Sequence, residues 1–122
     1  MSKILVIDDD RHIRGLLRKT LESAGFEVIE ARDGKDGIRL FQSSSPDLVI
    51  TDILMPEKEG LACIQELRQL DPAVRIIAIS GGSRHLPLDV LGIATKFGAR
   101  RVFPKPFDLD KLLAGVREEL AA

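Results

Sequence analysis

Carboxylate side chains stand at the ends of two short apolar runs of the sequence. Asp8, Asp9 and Asp10 follow the first run, and Asp52 closes the second. Carboxylates that are crowded together repel one another unless a cation neutralises them. Oxygen donors with no histidine or cysteine at ligand spacing select a hard ion, and Mg²⁺ uses few protein oxygens while it keeps several waters. If the fold gathers these side chains, we expect Asp9 and Asp52 to bind Mg²⁺ directly and Asp8 to act through water.

Asp52 also has a side chain that can react, because a carboxylate held beside Mg²⁺ is a competent nucleophile for phosphoryl transfer. Ser80 closes a further apolar run, and Lys105 lies just beyond another. The ammonium group of Lys105 would stabilise negative charge on the transferring oxygens, and the hydroxyl of Ser80 would donate a hydrogen bond to one of them. Taken singly, these residues could also be turn, loop and surface residues. For Asp10, capping the first helix is a better interpretation than a role in the metal site.

Two kinds of segment alternate along the chain and would position these side chains. Continuous apolar runs at residues 4–7, 48–50 and 76–79 are typical of central strands in a parallel sheet that is covered on both faces. Residues 26–29 and 101–103 are weaker strand candidates, and they could lie nearer an edge.

Helical patterns lie between the strands. The first helix carries an apolar stripe with its arginines largely outside it, and Gly25 supplies a stop. The third has a similar stripe before Asp71-Pro72, the fifth has Asp108 as a plausible N-cap, and residues 34–43 and 86–97 complete the set. The stripes are Ile13, Leu16, Leu17 and Leu21; Leu61, Ile64, Leu67 and Leu70; and Leu109, Leu112, Leu113, Val116 and Leu120.

Five strands that alternate with five helices predict an α/β fold, a (βα)₅ doubly wound parallel sheet. Ligands of such sheets bind outside the carboxyl ends of the strands, where all the polar residues named above would collect. We expect residues 1–122 to form a single domain, with no output domain after the fifth helix.

The composition of the chain limits the classes of partner and the cellular compartment that we expect for the protein. The net charge is -1, so neither nucleic acid nor an anionic membrane is expected as the main partner. The sequence has no signal-peptide pattern and no apolar run long enough to span a bilayer. Its single cysteine, Cys63, cannot form an internal disulfide. These features predict a soluble, cytoplasmic protein.

Three segments resemble the CheY-like receiver domains of two-component response regulators, and the resemblance extends over essentially the whole chain. They are Ile4-Leu5-Val6-Ile7-Asp8-Asp9-Asp10, Pro46-Asp47-Leu48-Val49-Ile50-Thr51-Asp52-Ile53-Leu54-Met55-Pro56 and Lys105-Pro106-Phe107. The resemblance implies a flavodoxin-like strand order 2-1-3-4-5, with Asp8 and Asp9 as the acidic pair and Asp52 as the phosphoacceptor. It further implies Leu54 as a Mg²⁺ ligand through its backbone carbonyl, Ser80 as the switch hydroxyl and Lys105 as the lysine that pairs with the phosphoryl group.

The same resemblance implies a stand-alone phosphorylation switch and its partners. A sensor histidine kinase or a phosphotransfer protein would donate the phosphoryl group, docking along the first helix at Ile13, Leu17 and the arginines. The signal would leave by binding an unknown downstream protein. Such a domain catalyses its own phosphorylation and dephosphorylation, and it is not an enzyme for outside substrates.

The sequence departs from the usual receiver pattern at several positions. Ser80 stands where threonine is commoner, and Lys58 and Glu59 replace small or apolar residues. Val102 stands where an aromatic residue is frequent; the neighbouring Phe103 cannot replace it, because adjacent strand residues point to opposite faces. These departures leave open a second function, that of a receiver-like protein-binding module that acts without phosphorylation.

The fourth helix is apolar nearly all round. Such a helix either covers more of the core or meets another protein. One hypothesis is that the surface of the fourth helix, the last strand and the fifth helix binds a partner or forms a homodimer.

A third function is a Mg²⁺-dependent phosphatase of the haloacid-dehalogenase type. That mechanism needs an acidic residue two positions after the nucleophile, and this chain has Leu54 there.

Overall fold

The computed structural model of the chain describes residues 2–53, 59–80, 90–104 and 108–121, and only the backbone at residues 59, 60, 80, 90, 91 and 93. Five strands alternate with five helices, as the periodicity predicts. The elements are β1 Lys3–Ile7, α1 Arg11–Ser23, β2 Glu27–Ala31, α2 Gly34–Ser44, β3 Leu48–Asp52, α3 Glu59–Leu70, β4 Ile76–Ser80, α4 Val90–Phe97, β5 Arg101–Pro104 and α5 Leu109–Ala121.

The strands form one parallel sheet in the order β2-β1-β3-β4-β5, which confirms the predicted fold. The two weaker strand candidates, β2 and β5, are indeed the edges. Ile7 of β1 lies opposite Thr51 of β3, and Asp52 lies opposite Ile79 of β4. This register brings the residues that follow β1 and close β3 to the same edge of the sheet.

The sheet separates two hydrophobic clusters, because alternate residues of each central strand point to opposite faces. One cluster joins the sheet to α2, α3 and α4, and the other joins it to α1 and α5. Residues 4–7 and 48–50 are fully buried, so the continuous apolar runs are explained by cover on both faces.

Side-chain caps fix where several helices begin. Asp10 is the N-cap of α1, because its Oδ1 accepts hydrogen bonds from the backbone N–H groups of His12 (2.8 Å) and Ile13 (3.4 Å). Asp108 caps α5 in the same way, accepting from Asp110 N at 2.8 Å. Both caps agree with the sequence prediction.

The apolar stripes of α1 and α3 are narrower than predicted. Leu16 and Leu70 are each 43% exposed, whereas Leu17 is fully buried. Leu17 and Leu21 lie four residues apart and face the sheet, and Leu16 is turned away by about 100°, one residue's rotation in a helix. Leu17 therefore cannot contribute to a docking surface on α1; Ile13, half-buried, and Leu16 remain available for that role.

The described part of α4 contains both buried and exposed positions. Ala94 is buried and Phe97 packs against the core, while Gly92, Thr95 and Lys96 are exposed. Leu86 and Leu88 lie outside the described residues, as do the side chains of Val90, Leu91 and Ile93. Whether the helix is apolar all round therefore stays a prediction.

Within the described ranges, every helix is too short or too polar to cross a bilayer.

Candidate functional site

The carboxylates of Asp8, Asp9 and Asp52 form a cluster at the carboxyl ends of β1 and β3. One carboxylate oxygen from each residue lies within 4.8 Å of the other two. Asp8 is fully buried, Asp52 is 2% exposed, and Asp9 is exposed. The cluster is therefore sunk into the edge of the sheet and opens to solvent on the side of Asp9.

The donor set of this cluster fits Mg²⁺. Mg²⁺ holds oxygen ligands at about 2.0–2.1 Å, so oxygens on opposite sides of one ion are roughly 4 Å apart. The oxygens of the cluster lie within 4.8 Å of one another, close enough for the carboxylates to share one ion. A cation would also offset the repulsion among three carboxylates, two of which are removed from bulk water.

Hydrogen bonds to the backbone and the side chain of Asp8 hold the loop after β1 in place. The N–H of Asp8 donates to Ala31 O of β2 at 3.1 Å, and Asp8 Oδ1 accepts from the N–H of Asp10 at 2.8 Å. Asp10 uses its own side chain to cap α1. Asp8 and Asp9 are thus held between the end of β1 and the start of α1, while Asp10 is the N-cap of α1.

The end of β3 is held just as firmly. Ile53 N donates to Ile79 O at 3.0 Å, and the buried hydroxyl of Thr51 donates to the backbone oxygen of Asp52 at 3.2 Å. The first of these bonds extends the ladder between β3 and β4 one residue beyond Asp52, and the second holds the peptide that follows Asp52.

The remaining predicted site residues are described only in part. Ser80 closes β4 and pairs with Pro104 of β5, so its backbone lies at the same edge of the sheet as Asp52. Its side chain, Leu54 and Lys105 lie outside the described residues.

Val102 and Phe103 point to opposite faces of β5, as expected. Val102 packs into the cluster shared with α2, α3 and α4, and Phe103 packs into the cluster shared with α1 and α5. The ring of Phe103 lies over Gly115 of α5, where a Cβ would meet its Cζ at 3.1 Å.

Arg14 is a residue of this region whose role the sequence does not reveal. Its periodicity places it outside the apolar stripe of α1, yet its side chain is only 15% exposed. Its Nη1 donates to the backbone oxygen of Asp8 at 2.6 Å, and its Nε pairs with Glu30 of β2 at 3.2 Å. The only signal in the sequence is an arginine one turn into a helix that begins at the acidic triplet.

Glu30 is shared by two arginines of α1. Its second carboxylate oxygen pairs with Arg18 Nη1 at 2.6 Å, and Arg18 Nη2 donates to Val28 O at 3.1 Å. The hydrogen bond to Glu30, assisted by Glu22 and opposed by desolvation, raises the pKa of the Arg18 guanidinium. Arg14, Arg18 and Glu30 therefore form a charged clamp between α1 and β2.

Comparison with known proteins identifies relatives over nearly the whole chain. Chemotaxis protein CheY of Bacillus subtilis is 35% identical over 120 residues, which cover 97% of this chain and 97% of that protein. Transcriptional regulatory protein CpxR of Klebsiella pneumoniae is 40% identical over 118 residues, which cover 96% of this chain. The chain spans only 48% of the length of CpxR.

The fold is shared with solved receiver structures. A response regulator receiver domain protein from Clostridium thermocellum superposes with a TM-score of 0.90 at 32% identity, covering 99% of this chain and 95% of the other. The model of the response regulator receiver domain family matches residues 4–117, a span that contains the acid cluster and all five strands from Ile4 onward. The chain belongs to the response regulator receiver domain family of two-component signalling.

Proposed function

We propose that the protein is a phosphorylation switch in which Asp52 accepts a phosphoryl group with the help of Mg²⁺ held by Asp8, Asp9, Asp52 and the backbone carbonyl of Leu54. The observation that carries the proposal is the position of Asp52. It closes a central strand, is almost fully buried, and lies within 4.8 Å of two further carboxylates.

In the proposed reaction, a carboxylate oxygen of Asp52 attacks the phosphorus of a phosphohistidine. The P–N bond breaks, the histidine of the donor keeps the electron pair of that bond, and an aspartyl phosphate forms on Asp52. When bound, Mg²⁺ supplies positive charge to the transferring oxygens. Lys105 is proposed to pair with the same oxygens and Ser80 to donate a hydrogen bond to one of them. The protein is not proposed to turn over outside substrates.

The donor is a sensor histidine kinase or a phosphotransfer protein, since receiver domains interact with proteins of these classes. We propose α1 as the docking surface. Leu16 supports this assignment, because it is a large apolar side chain that is 43% exposed beside the half-buried Ile13. The proposal locates the exchange in the cytoplasm.

We further propose that the domain acts alone and that its output is a surface built from α4, β5 and α5, which binds a downstream protein or a second copy. The similarity to nearly the full length of CheY supports a stand-alone domain, whereas CpxR continues beyond the matched region. The mass of the protein isolated from its native cells tests whether the domain acts alone. Light scattering of the phosphorylated and unphosphorylated forms tests whether a second copy binds to this surface. A monomer in both states contradicts the formation of a homodimer.

The experiment that tests the phosphoryl transfer is the intact mass after incubation with acetyl phosphate and Mg²⁺. We expect wild type to gain one phosphoryl group, and the gain to disappear with EDTA and in Asp52→Ala. Asp110→Ala removes an exposed carboxylate from α5 and should be phosphorylated like wild type.

No gain in mass, also with phosphoramidate and candidate kinases as donors, contradicts the proposal. That outcome favours the alternative of a binding module that acts without phosphorylation. A gain that persists in Asp52→Ala places the acceptor elsewhere. Release of inorganic phosphate from small phosphate esters would instead indicate a phosphatase.

A further inference from the structure

We infer that Arg14 is a positioning residue for the Mg²⁺ site, holding the acidic loop at residues 8–10 in the geometry that binds the ion. The inference rests on the proposed function for the identity of the ion. It assigns a role in metal binding to a side chain that cannot itself be a ligand, because a guanidinium has donors and no acceptor.

Arg14 contacts the loop at two points. Its backbone N–H donates to Asp10 O at 3.1 Å, as the first hydrogen bond of α1. Its side chain reaches back through Nη1 to Asp8 O at 2.6 Å. The side-chain bond is charge-assisted and short, which places it among the stronger hydrogen bonds of proteins.

The bond to Asp8 O determines the orientation of a peptide plane. The carbonyl of Asp8 and the N–H of Asp9 belong to one planar peptide unit, so fixing the first fixes the second. The exposed side chain of Asp9 leaves the backbone directly after this unit. Its direction toward Asp8 and Asp52 therefore depends on the Asp8 carbonyl staying where Arg14 holds it.

Arg14 is itself immobilised from outside the loop. Glu30 accepts from its Nε, and Arg18 holds the other oxygen of Glu30. Glu30 and Ala31 both belong to β2. Ala31 O accepts from the Asp8 N–H, and Glu30 holds the arginine that binds Asp8 O, so β2 supports both backbone groups of Asp8. The clamp also supplies a cation next to a loop whose like charges would otherwise push it open.

Three variants separate positioning from general stability. Arg14→Met keeps most of the apolar stem and removes every donor, and Arg14→Lys keeps the charge but offers one nitrogen in place of the two that bond Asp8 O and Glu30. Arg39→Met is the matched control, because Arg39 of α2 pairs with Asp36 of its own helix and takes no part in the clamp.

The readout is the dissociation constant of Mg²⁺, measured by isothermal titration calorimetry on folded protein, with thermal unfolding in EDTA as the measure of stability. We expect Arg14→Met to weaken Mg²⁺ binding about 10–100-fold, the range found when residues that orient metal ligands are removed. Arg14→Lys should weaken it less than Arg14→Met but by more than about twofold, and Arg39→Met should weaken it by less than about twofold. Phosphorylation by acetyl phosphate should slow in Arg14→Met at low Mg²⁺ and recover at saturating Mg²⁺.

Arg14→Met with a Mg²⁺ affinity within twofold of wild type overturns the inference, as does an equal loss in Arg39→Met. If Arg14→Met does not fold, Arg14→Lys decides on the same criterion. Wild type that binds Mg²⁺ but accepts no phosphoryl group contradicts the proposed function, and the calorimetric comparison still decides the role of Arg14. Wild type that binds no Mg²⁺ overturns the inference.

Discussion

At the scale of single residues, charged groups in this protein are used in pairs that join elements distant in sequence. Glu119 of α5 shows this most clearly, because it is buried and pairs with Arg101, the first residue of β5, and with Arg100 just before it. Its oxygens pair with Arg101 Nε at 2.7 Å and with Arg100 Nη1 at 3.3 Å. The network attaches the last turn of α5 to the edge strand.

The hydrogen bond from Arg101 lowers the pKa of Glu119 below its ordinary value of 4.5, against the opposing effect of desolvation and with further help from the charges of Arg101 and Arg100. A lowered pKa means that the unfolded chain binds more protons than the folded one in acid. The stabilisation by Glu119 is therefore complete above the ordinary value and is lost as the pH falls through the lowered pKa.

We predict that Glu119→Gln lowers the free energy of unfolding by about 1 kcal/mol at pH 7, a typical loss for a charged hydrogen bond at a partly buried site. The difference from wild type should shrink as the pH falls from 6 to 3. Urea denaturation across this pH range measures it. Glu118 also pairs with Arg101, but its side chain is 63% exposed. Glu118→Gln should therefore change the free energy of unfolding by less than about 0.5 kcal/mol. A Glu119→Gln effect that is independent of pH would contradict the assignment.

At the scale of elements, the close approach of α2 to β1 depends on a glycine. A Cβ built at Gly37 would overlap Ile7 Cδ1 and would lie 2.9 Å from Ile7 Cγ1. Ile7 is fully buried in the cluster beneath α2, so it has little room to move. Gly15 of α1 is the contrasting case, since a Cβ there meets nothing within 4 Å.

We predict opposite signs for the same substitution at these two glycines. Gly15→Ala should stabilise the protein by about 0.5–1 kcal/mol through helix propensity alone. Gly37→Ala gains the same propensity but overpacks the core, which typically costs about 1–3 kcal/mol, so the net effect should be destabilising.

The measurement is the free energy of unfolding from denaturant titration, repeated for Gly37→Ala in an Ile7→Val background. Shortening Ile7 removes the atom that overlaps most, so the cost of Gly37→Ala should become smaller there. An equal cost in both backgrounds would show that the contact with Ile7 is not its cause.

At the scale of the whole molecule, the proposed Mg²⁺ site joins the ends of β1 and β3, two neighbouring strands in the interior of the sheet. An ion that binds only when these ends are together stabilises the folded state by linkage. At 100 times its dissociation constant the gain is about 2.7 kcal/mol.

We predict that saturating Mg²⁺ raises the Tm by about 10 °C, the shift that this gain gives in a domain of this size. EDTA should reverse the shift, and Asp9→Asn should abolish most of it, since Asp9 is exposed and its loss leaves the core intact. Circular dichroism melts at matched ionic strength give the measurement, with Asp71→Asn on the opposite end of the molecule as control. An equal shift in Asp9→Asn would show that Mg²⁺ stabilises the protein somewhere else.

Local signals carried most of the prediction of fold and site. The buried strands, the N-caps at Asp10 and Asp108 and the two weak edge strands follow from apolar runs and cap chemistry that act within a few residues. The grouping of Asp8, Asp9 and Asp52 follows as well, because parallel strands end at one edge of a sheet. The sequence by itself therefore determined which elements form and which polar residues meet at their ends.

Only the tertiary structure decided how far each side chain is covered and which distant charges meet. Leu16 and Leu70 have the spacing of buried residues but are exposed, because each helix turns only a narrow stripe toward the sheet. Arg14 has the spacing of a surface residue but lies against Asp8 and Glu30, because α1 packs beside β2. Periodicity reports the direction of a side chain about its own helix axis. The neighbour that it finds there depends on packing between elements far apart in the chain, and local sequence does not encode that packing.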